Sequence, residues 1–259
     1  MHRRPITITG LAAVLVAAIA ASAAFAGTVV TGKDGNTQTL DSTITPKKLS
    51  KTTFSPGALN VKVTTSSTTA ANGVPSPAVH VFLDFDKNVK LFTKGVPTCD
   101  PAKLQSTSTT VALQQCGKAK IGSGKASALL PVGPVVYPVN QVVTAFNGVP
   151  KGGKPVIILH TYGTTPLQTT LVLVGTVTNL NKEGYGPRLD LEVPLLANGA
   201  GALTSFQAKI EKKYAYKGKR VSYVSARCPT GKFKARAIFT YKDGENLTPL
   251  DTQPCTKKP

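Results

Sequence analysis

From Lys232 to Lys242 the chain alternates without a break, with Phe233, Ala235, Ala237, Phe239 and Tyr241 on one side and Lys232, Lys234, Arg236, Ile238, Thr240 and Lys242 on the other. Only a β-strand repeats every two residues, so this stretch must have one face in an apolar core. The same period recurs at Leu59-Val61-Val63, Val79-Val81-Leu83-Phe85, Leu189-Leu191-Val193 and Phe206-Ala208-Ile210. No long stretch carries a helical apolar period, and 23 Gly and 19 Pro supply turns. The expected fold is all-β: a β-sandwich of short, mainly antiparallel strands.

Two runs, Val156-Ile157-Ile158-Leu159 and Leu171-Val172-Leu173-Val174, are apolar at every position. They suit strands covered on both faces, in the middle of a sandwich or under loops. Asp243-Gly244 predicts a two-residue hairpin turn, which sets Lys242 opposite Glu245 and Cys255 opposite Lys232. Gly122-Ser123-Gly124 interrupts the strand expected over 118–130 and marks a bulge or a close backbone approach. It is not a phosphate loop, because Ala119 stands where the first Gly belongs and Ala126 where Ser or Thr belongs, so no nucleotide partner is expected.

The N-terminus has its own pattern: basic His2, Arg3 and Arg4, an apolar run from Leu11 to Ala21, then Ala24-Phe25-Ala26. Residues 1–26 read as a signal peptide, since the apolar run falls short of the roughly 18 to 20 residues that span a bilayer. The mature chain, 27–259, is expected outside the cytoplasm, secreted or in the cell envelope, with no transmembrane segment after cleavage. It reads as one β-sandwich domain, or as two β subdomains divided near 147–154. Gly27 to Ser55 is polar and fits either an edge strand or a loose arm.

Four Cys in an exported chain predict two disulfides with three possible connectivities. Proximity favours Cys99 with Cys116 and Cys228 with Cys255. A zinc site is disfavoured, because no Cys-x-x-Cys pair exists, and no metal or cofactor is expected. Within the first pair, Asp100 and Pro101 are placed to cap and begin one helical turn. The second pair cannot close across a flat ladder, so either Pro229-Thr230-Gly231 folds the chain back or Pro249 shifts the register.

The chain carries 31 Lys and Arg against 12 Asp and Glu. Without Arg3 and Arg4 the formal charge is still +17. Anionic polymers of the cell envelope are therefore the first partners to consider, with Lys209, Lys213, Lys232, Lys234 and Arg236 as candidate contacts. Lys dominates over Arg, which suits loose charge contact more than a bidentate phosphate grip. Tyr214, Tyr216 and Tyr223 lie among the basic residues, yet their spacing suits core positions equally, so nucleic acid is a weaker partner.

Candidate catalytic residues are few. His80, Asp84 and Asp86 share one strand face, but neighbours there stand roughly 7 Å apart and a single strand gathers no site. His160 ends a buried run and has no Gly-x-Ser-x-Gly nucleophile to serve. Asp190 and Glu192 fall within the separation two glycosidase carboxyls require, and with Asp84 and His160 they carry the alternative, a glycan-active hydrolase on a sandwich scaffold. No Trp provides a sugar-stacking platform. The leading expectation is a non-enzymatic, secreted binding or structural protein.

The succession of VPTCDPAKLQ, QQCGKAKIGSGKA and ARCPTGKFKARAIFTYKDG with a final QPC resembles a group of secreted, β-rich actinobacterial proteins that have no assigned function. The likeness spans most of the mature chain and rests on Cys, Gly and Pro positions. In that group the final strand carries an aromatic, often Trp, where this chain has Phe233. The resemblance implies export and the same disulfide pairing, and it supplies no activity.

Overall fold

The structure, a computed structural model, describes residues 27–258, so the expected signal peptide lies outside the described residues. The chain opens with β1 (Val29–Thr31), β2 (Asn36–Thr45), β3 (Lys48–Ser50), β4 (Ser55–Ser67), β5 (Ala78–Asp86) and β6 (Val89–Leu91). A short 3-10 turn at Pro101–Leu104 and the helix α1 (Thr109–Cys116) follow. Next come β7 (Lys120–Val132), β8 (Val135–Lys151), β9 (Lys154–Gly163), β10 (Thr169–Asn179), β11 (Tyr185–Glu192) and β12 (Ala202–Ile210). The small strands β13 (Lys213–Tyr216), β14 (Lys219–Ser222) and β15 (Val224–Ala226) lead to β16 (Lys232–Tyr241), β17 (Asn246–Leu247), β18 (Leu250–Pro254) and β19 (Thr256–Lys258).

The fold is all-β and the main sheet antiparallel, as the alternation demands. One strip runs β1-β2-β4-β12-β7-β8-β9-β10-β11-β5-β16-β17, with β18 continuing beside β16. Where a two-sheet sandwich was expected, this strip curls into a nearly closed, barrel-like arrangement. Its two ends meet through separate hydrogen bonds, most of them from side chains, rather than through a continuous backbone ladder. The buried Asp251 carboxylate accepts from the backbone N–H and hydroxyl of Ser42, both at 2.7 Å. The Tyr241 hydroxyl donates to Gln38 Oε1 at 2.8 Å, and Thr28 N–H donates to the Leu250 carbonyl at 2.9 Å. Each such bond covers a sheet edge that would otherwise stay open to pairing.

The predicted inward faces line the barrel: Leu59, Val61 and Val63 on β4, Val81 and Phe85 on β5, Leu189 and Leu191 on β11, and Phe233, Ala235, Ala237, Phe239 and Tyr241 on β16 are all buried. Residues 27–55 are not a loose arm, since β2 pairs with β4 along its whole length and buries Leu40 and Ile44. Close backbone approach is the role of the glycines on β7. A Cβ on Gly124 would lie 1.8 Å from the Gln207 carbonyl oxygen, and one on Gly122 would lie 2.1 Å from that of Lys209. A register shift sits between Lys120 and Gly122.

The doubly apolar β9 is indeed covered on its outer face. The excursion between Cys99 and Ala119 folds over β8, β9 and β10 and builds a second small core from Leu104, Ala112, Phe146, Val156 and Ile158. Asp100 caps its 3-10 turn, accepting from Ala102 N–H at 2.9 Å, and the Cys99–Cys116 disulfide closes it. The helix α1, capped by Ser108 accepting from Val111 N–H, was not apparent in the sequence: of its eight residues only Ala112 and Cys116 are buried, too few to print a helical period.

Cys228 pairs with Cys255, their Cα atoms 6.1 Å apart. The closing hairpin corrects one expectation. Its loop holds three residues, 242–244, with Gly244 at φ 86°, and Tyr241 N–H donates to the Glu245 carbonyl. A left-handed third residue is what a three-residue loop requires. The register moves by one, so Pro254 rather than Cys255 faces Lys232. Pro229-Thr230-Gly231 then folds the chain back, and Cys255 N–H donates to the Gly231 carbonyl at 2.9 Å.

Candidate functional site

Antiparallel order sorts the links between barrel strands to two ends, and the charge is sorted with them. At one end the links are 46–54, 87–119, 152–153, 180–184 and 211–231, together with the terminal 255–258. They contain three, five, none, one, six and two Lys or Arg, seventeen in all, against only Asp100, Glu183 and Glu211. At the opposite end the links 32–35, 68–77, 133–134, 164–168, 193–201 and 242–245 contain Lys33 and Lys242 against Asp34, Asp243 and Glu245. That second end is apolar instead, exposing Val132, Val135, Tyr137, Leu167 and Leu195. A barrel whose links at one end carry most of its excess charge projects a directed positive field.

Local structure holds the basic end in place. The hairpin of β13 and β14 turns at Lys217 and Gly218, both at positive φ, which is the conformation a two-residue turn needs. Its Tyr214 hydroxyl donates to the carbonyls of Phe92 at 2.8 Å and Lys94 at 2.9 Å. The Phe92 ring stacks on Tyr214 and meets Tyr216 edge-on at 5.5 Å. Phe54 lies beneath two cations, Lys90 Nζ at 4.2 Å and the Arg227 guanidinium at 4.9 Å from its centroid. Between these groups runs an open groove of about 320 Å³, lined by Phe54, Lys90, Phe92 and Arg220 among others, with no acidic residue in its wall. Below it Lys212 donates to the carbonyls of Lys118 and Lys120, and burial lowers its ammonium below the ordinary Lys value.

The residues singled out in the sequence do not form one patch. Lys213 belongs to the hairpin just described and is exposed. Lys209, on β12, is paired with Glu211 at 2.6 Å. Lys232 is exposed at the start of β16, whereas Lys234 packs over the Tyr185 ring at 4.4 Å and donates to the Glu183 carbonyl. Arg236 is engaged by two carboxylates, Asp84 and Glu183. Tyr223 is core: its side chain is fully buried, its hydroxyl donates to Asn147 Oδ1, and burial pushes its phenol far up.

Of the acidic candidates, Asp84, Asp86 and Asp190 serve as structural partners. Asp84 is completely buried, with Arg188 Nε at 2.6 Å on one oxygen, and Arg188 Nη2 and Arg236 Nε both at 2.9 Å on the other. Direct cross-strand pairing on both sides of β5 places those guanidiniums there. The hydrogen bond to Asp84 pushes the Arg188 guanidinium further up. Asp190 accepts from His80 Nε2 at 2.8 Å, and Glu192 stands opposite His80 on the outer face. His160 is fully buried beneath the excursion, bonded through Nε2 to the Thr107 carbonyl at 3.0 Å, and desolvation lowers its pKa. Its partner on β10 is Val172, while Asp84 faces Arg188 and Arg188 faces Thr178, so Asp84 and His160 lie three strands and several residues apart. Among Asp84, His160, Asp190 and Glu192 no acid and base converge, and the His80–Asp190 contact joins neighbouring strands on the outer face.

Among the described residues no cluster of three or more His, Cys, Asp and Glu side chains could hold a metal ion, and no helix is long and apolar enough to cross a membrane. No family of known proteins, no curated protein and no solved structure matches the chain.

Proposed function

We propose that this protein is a non-catalytic, extracytoplasmic binding protein whose basic end contacts anionic polymers of the cell envelope. The observation that carries this reading is the segregation of charge, seventeen basic residues on the links of one end against three acidic ones. A solvated surface needs no such bias, because scattered Lys keep a protein soluble just as well. Aromatic rings in the groove at that end give a flexible polyanion apolar surface to lie on while its charges meet Lys90, Lys94 and Arg220.

The test is binding of the mature protein to soluble poly(glycerol phosphate). Affinity should fall at least about tenfold between about 50 and 300 mM salt, because exposed charges are screened over a Debye length that shrinks in that range. The variant Lys213→Gln/Lys217→Gln/Lys219→Gln should bind several-fold more weakly at low salt, and Lys33→Gln/Lys242→Gln should bind like wild type. Binding that is independent of salt, or weakened equally by both variants, refutes the reading.

A further inference from the structure

The barrel interior is not filled. An apolar cavity of about 60 Å³ lies among Leu59, Val61, Leu83, Ile157, Leu159 and Ala208, with almost no polar surface. Leu83, Leu91 and Phe206 point into the barrel and yet are only half-buried. Native cores are packed to crystal density, with few voids larger than a water, so inward-facing side chains that keep free surface mark space a guest can take. Phe206 also lines a second apolar pocket of about 30 Å³ nearer the opposite end, so one side chain divides the lumen in two.

The larger cavity has an entrance of distinct chemistry. Leu91, Val177 and Pro187 line it from within and also form the floor of an open vestibule of about 610 Å³ at the basic end. The vestibule wall carries Lys87, Lys90 and Lys154, all exposed, and no acidic residue. Three cations therefore stand around an apolar hole whose stopper is a single layer of side chains.

We propose that vestibule and lumen together bind a free single-chain anionic amphiphile, such as an alkyl carboxylate, with its head among Lys87, Lys90 and Lys154 and its chain passing Leu91 into the lumen. A neutral chain gains only the lumen, and a short polar anion only the vestibule. Lys90 and Leu91 line both this vestibule and the outer groove, but the lumen belongs to the amphiphile site alone, so a change confined to the lumen tells the two readings apart.

The experiment is titration calorimetry of the mature protein with hexanoate, octanoate and decanoate, with 1-decanol as the neutral control. Affinity should rise about fourfold per added methylene until the lumen is full, the increment expected for burying a CH₂ group. Ala208→Leu, which fills the cavity, should weaken decanoate binding at least about tenfold and leave poly(glycerol phosphate) binding unchanged. Lys87→Gln/Lys90→Gln/Lys154→Gln, confined to exposed side chains, should weaken decanoate about tenfold and decanol less than about twofold. Affinity that does not grow with chain length, or decanoate binding that the triple Lys variant leaves intact, overturns the proposal even where Ala208→Leu fails to fold.

Discussion

Replacing Asp84 by Asn should be among the most damaging single changes outside the apolar core. The wild-type carboxylate has no exposed side-chain surface and is gripped by two guanidiniums whose side chains are only 20% and 19% exposed. Asn keeps the shape but removes the charge, so Arg188 and Arg236 would face each other across a neutral amide with little water to screen them. Breaking a buried pair in this way costs about 3 to 5 kcal/mol, and the residual exposure of both Arg places the expectation near the lower figure, about 3 kcal/mol. For a domain of this size each kcal/mol moves Tm by about 2 to 4 °C, so thermal unfolding followed by circular dichroism should drop by about 6 to 12 °C. The triple variant Asp84→Leu/Arg188→Met/Arg236→Met should recover most of that loss, since apolar isosteres carry no desolvation penalty. A Tm for Asp84→Asn within about 2 °C of wild type would refute the view that the two Arg depend on this carboxylate.

Two further outcomes follow from the same reasoning. Closing chain loops of 17 and 27 residues should stabilise the fold by about 3 and 3.5 kcal/mol in the chain-entropy account, so Cys99→Ala/Cys116→Ala and Cys228→Ala/Cys255→Ala should lower urea-unfolding free energies by similar amounts. A loss below about 1 kcal/mol for either pair contradicts that account. In His160 the Nε2–H donates to Thr107 while Nδ1 is buried with no partner, so protonation would bury both a charge and an unpaired N–H. Its folded pKa lies below the ordinary 6.5, so the unfolded chain takes up the proton first and stability falls as pH drops below 6.5 toward that lowered value. His160→Leu should flatten this dependence between about pH 7.5 and 5 in urea titrations, and a slope equal to wild type would show that His160 is not its source.

Much of the barrel wall is legible in the chain because alternation dictates which side chains share a face, and the faces named for β4, β5, β11, β12 and β16 are the ones that line the interior. Closure is not legible. It depends on Asp251 meeting Ser42, 209 residues away, and no local pattern reports such a contact. The length of the last turn is ambiguous for a related reason: Gly244 serves a two-residue or a three-residue loop equally well, and the difference slips the ladder by one. Asp84 illustrates a further gap. On its own strand it reads as one polar residue of an exposed face, and only the registry of Arg188 and Arg236 on the flanking strands buries it.

The basic end could have been found from the sequence once antiparallel order was granted, since successive links must then alternate between the two ends. What the sequence does not reveal is how the scarce acids are spent. Nine of the twelve carboxylates, on Asp84, Asp86, Asp100, Glu183, Asp190, Glu211, Asp243, Glu245 and Asp251, hold cations, caps, turns or strand edges inside the molecule. They hold Arg188, Arg236, Lys209 and His80, and leave the Lys of the β13–β14 hairpin and of the vestibule unneutralised. The positive field at that mouth is therefore a consequence of where the negative charges are needed structurally. Moving a single acid into the link 211–231, for example Lys217→Glu, should weaken polyanion binding without touching any contact that holds the barrel together.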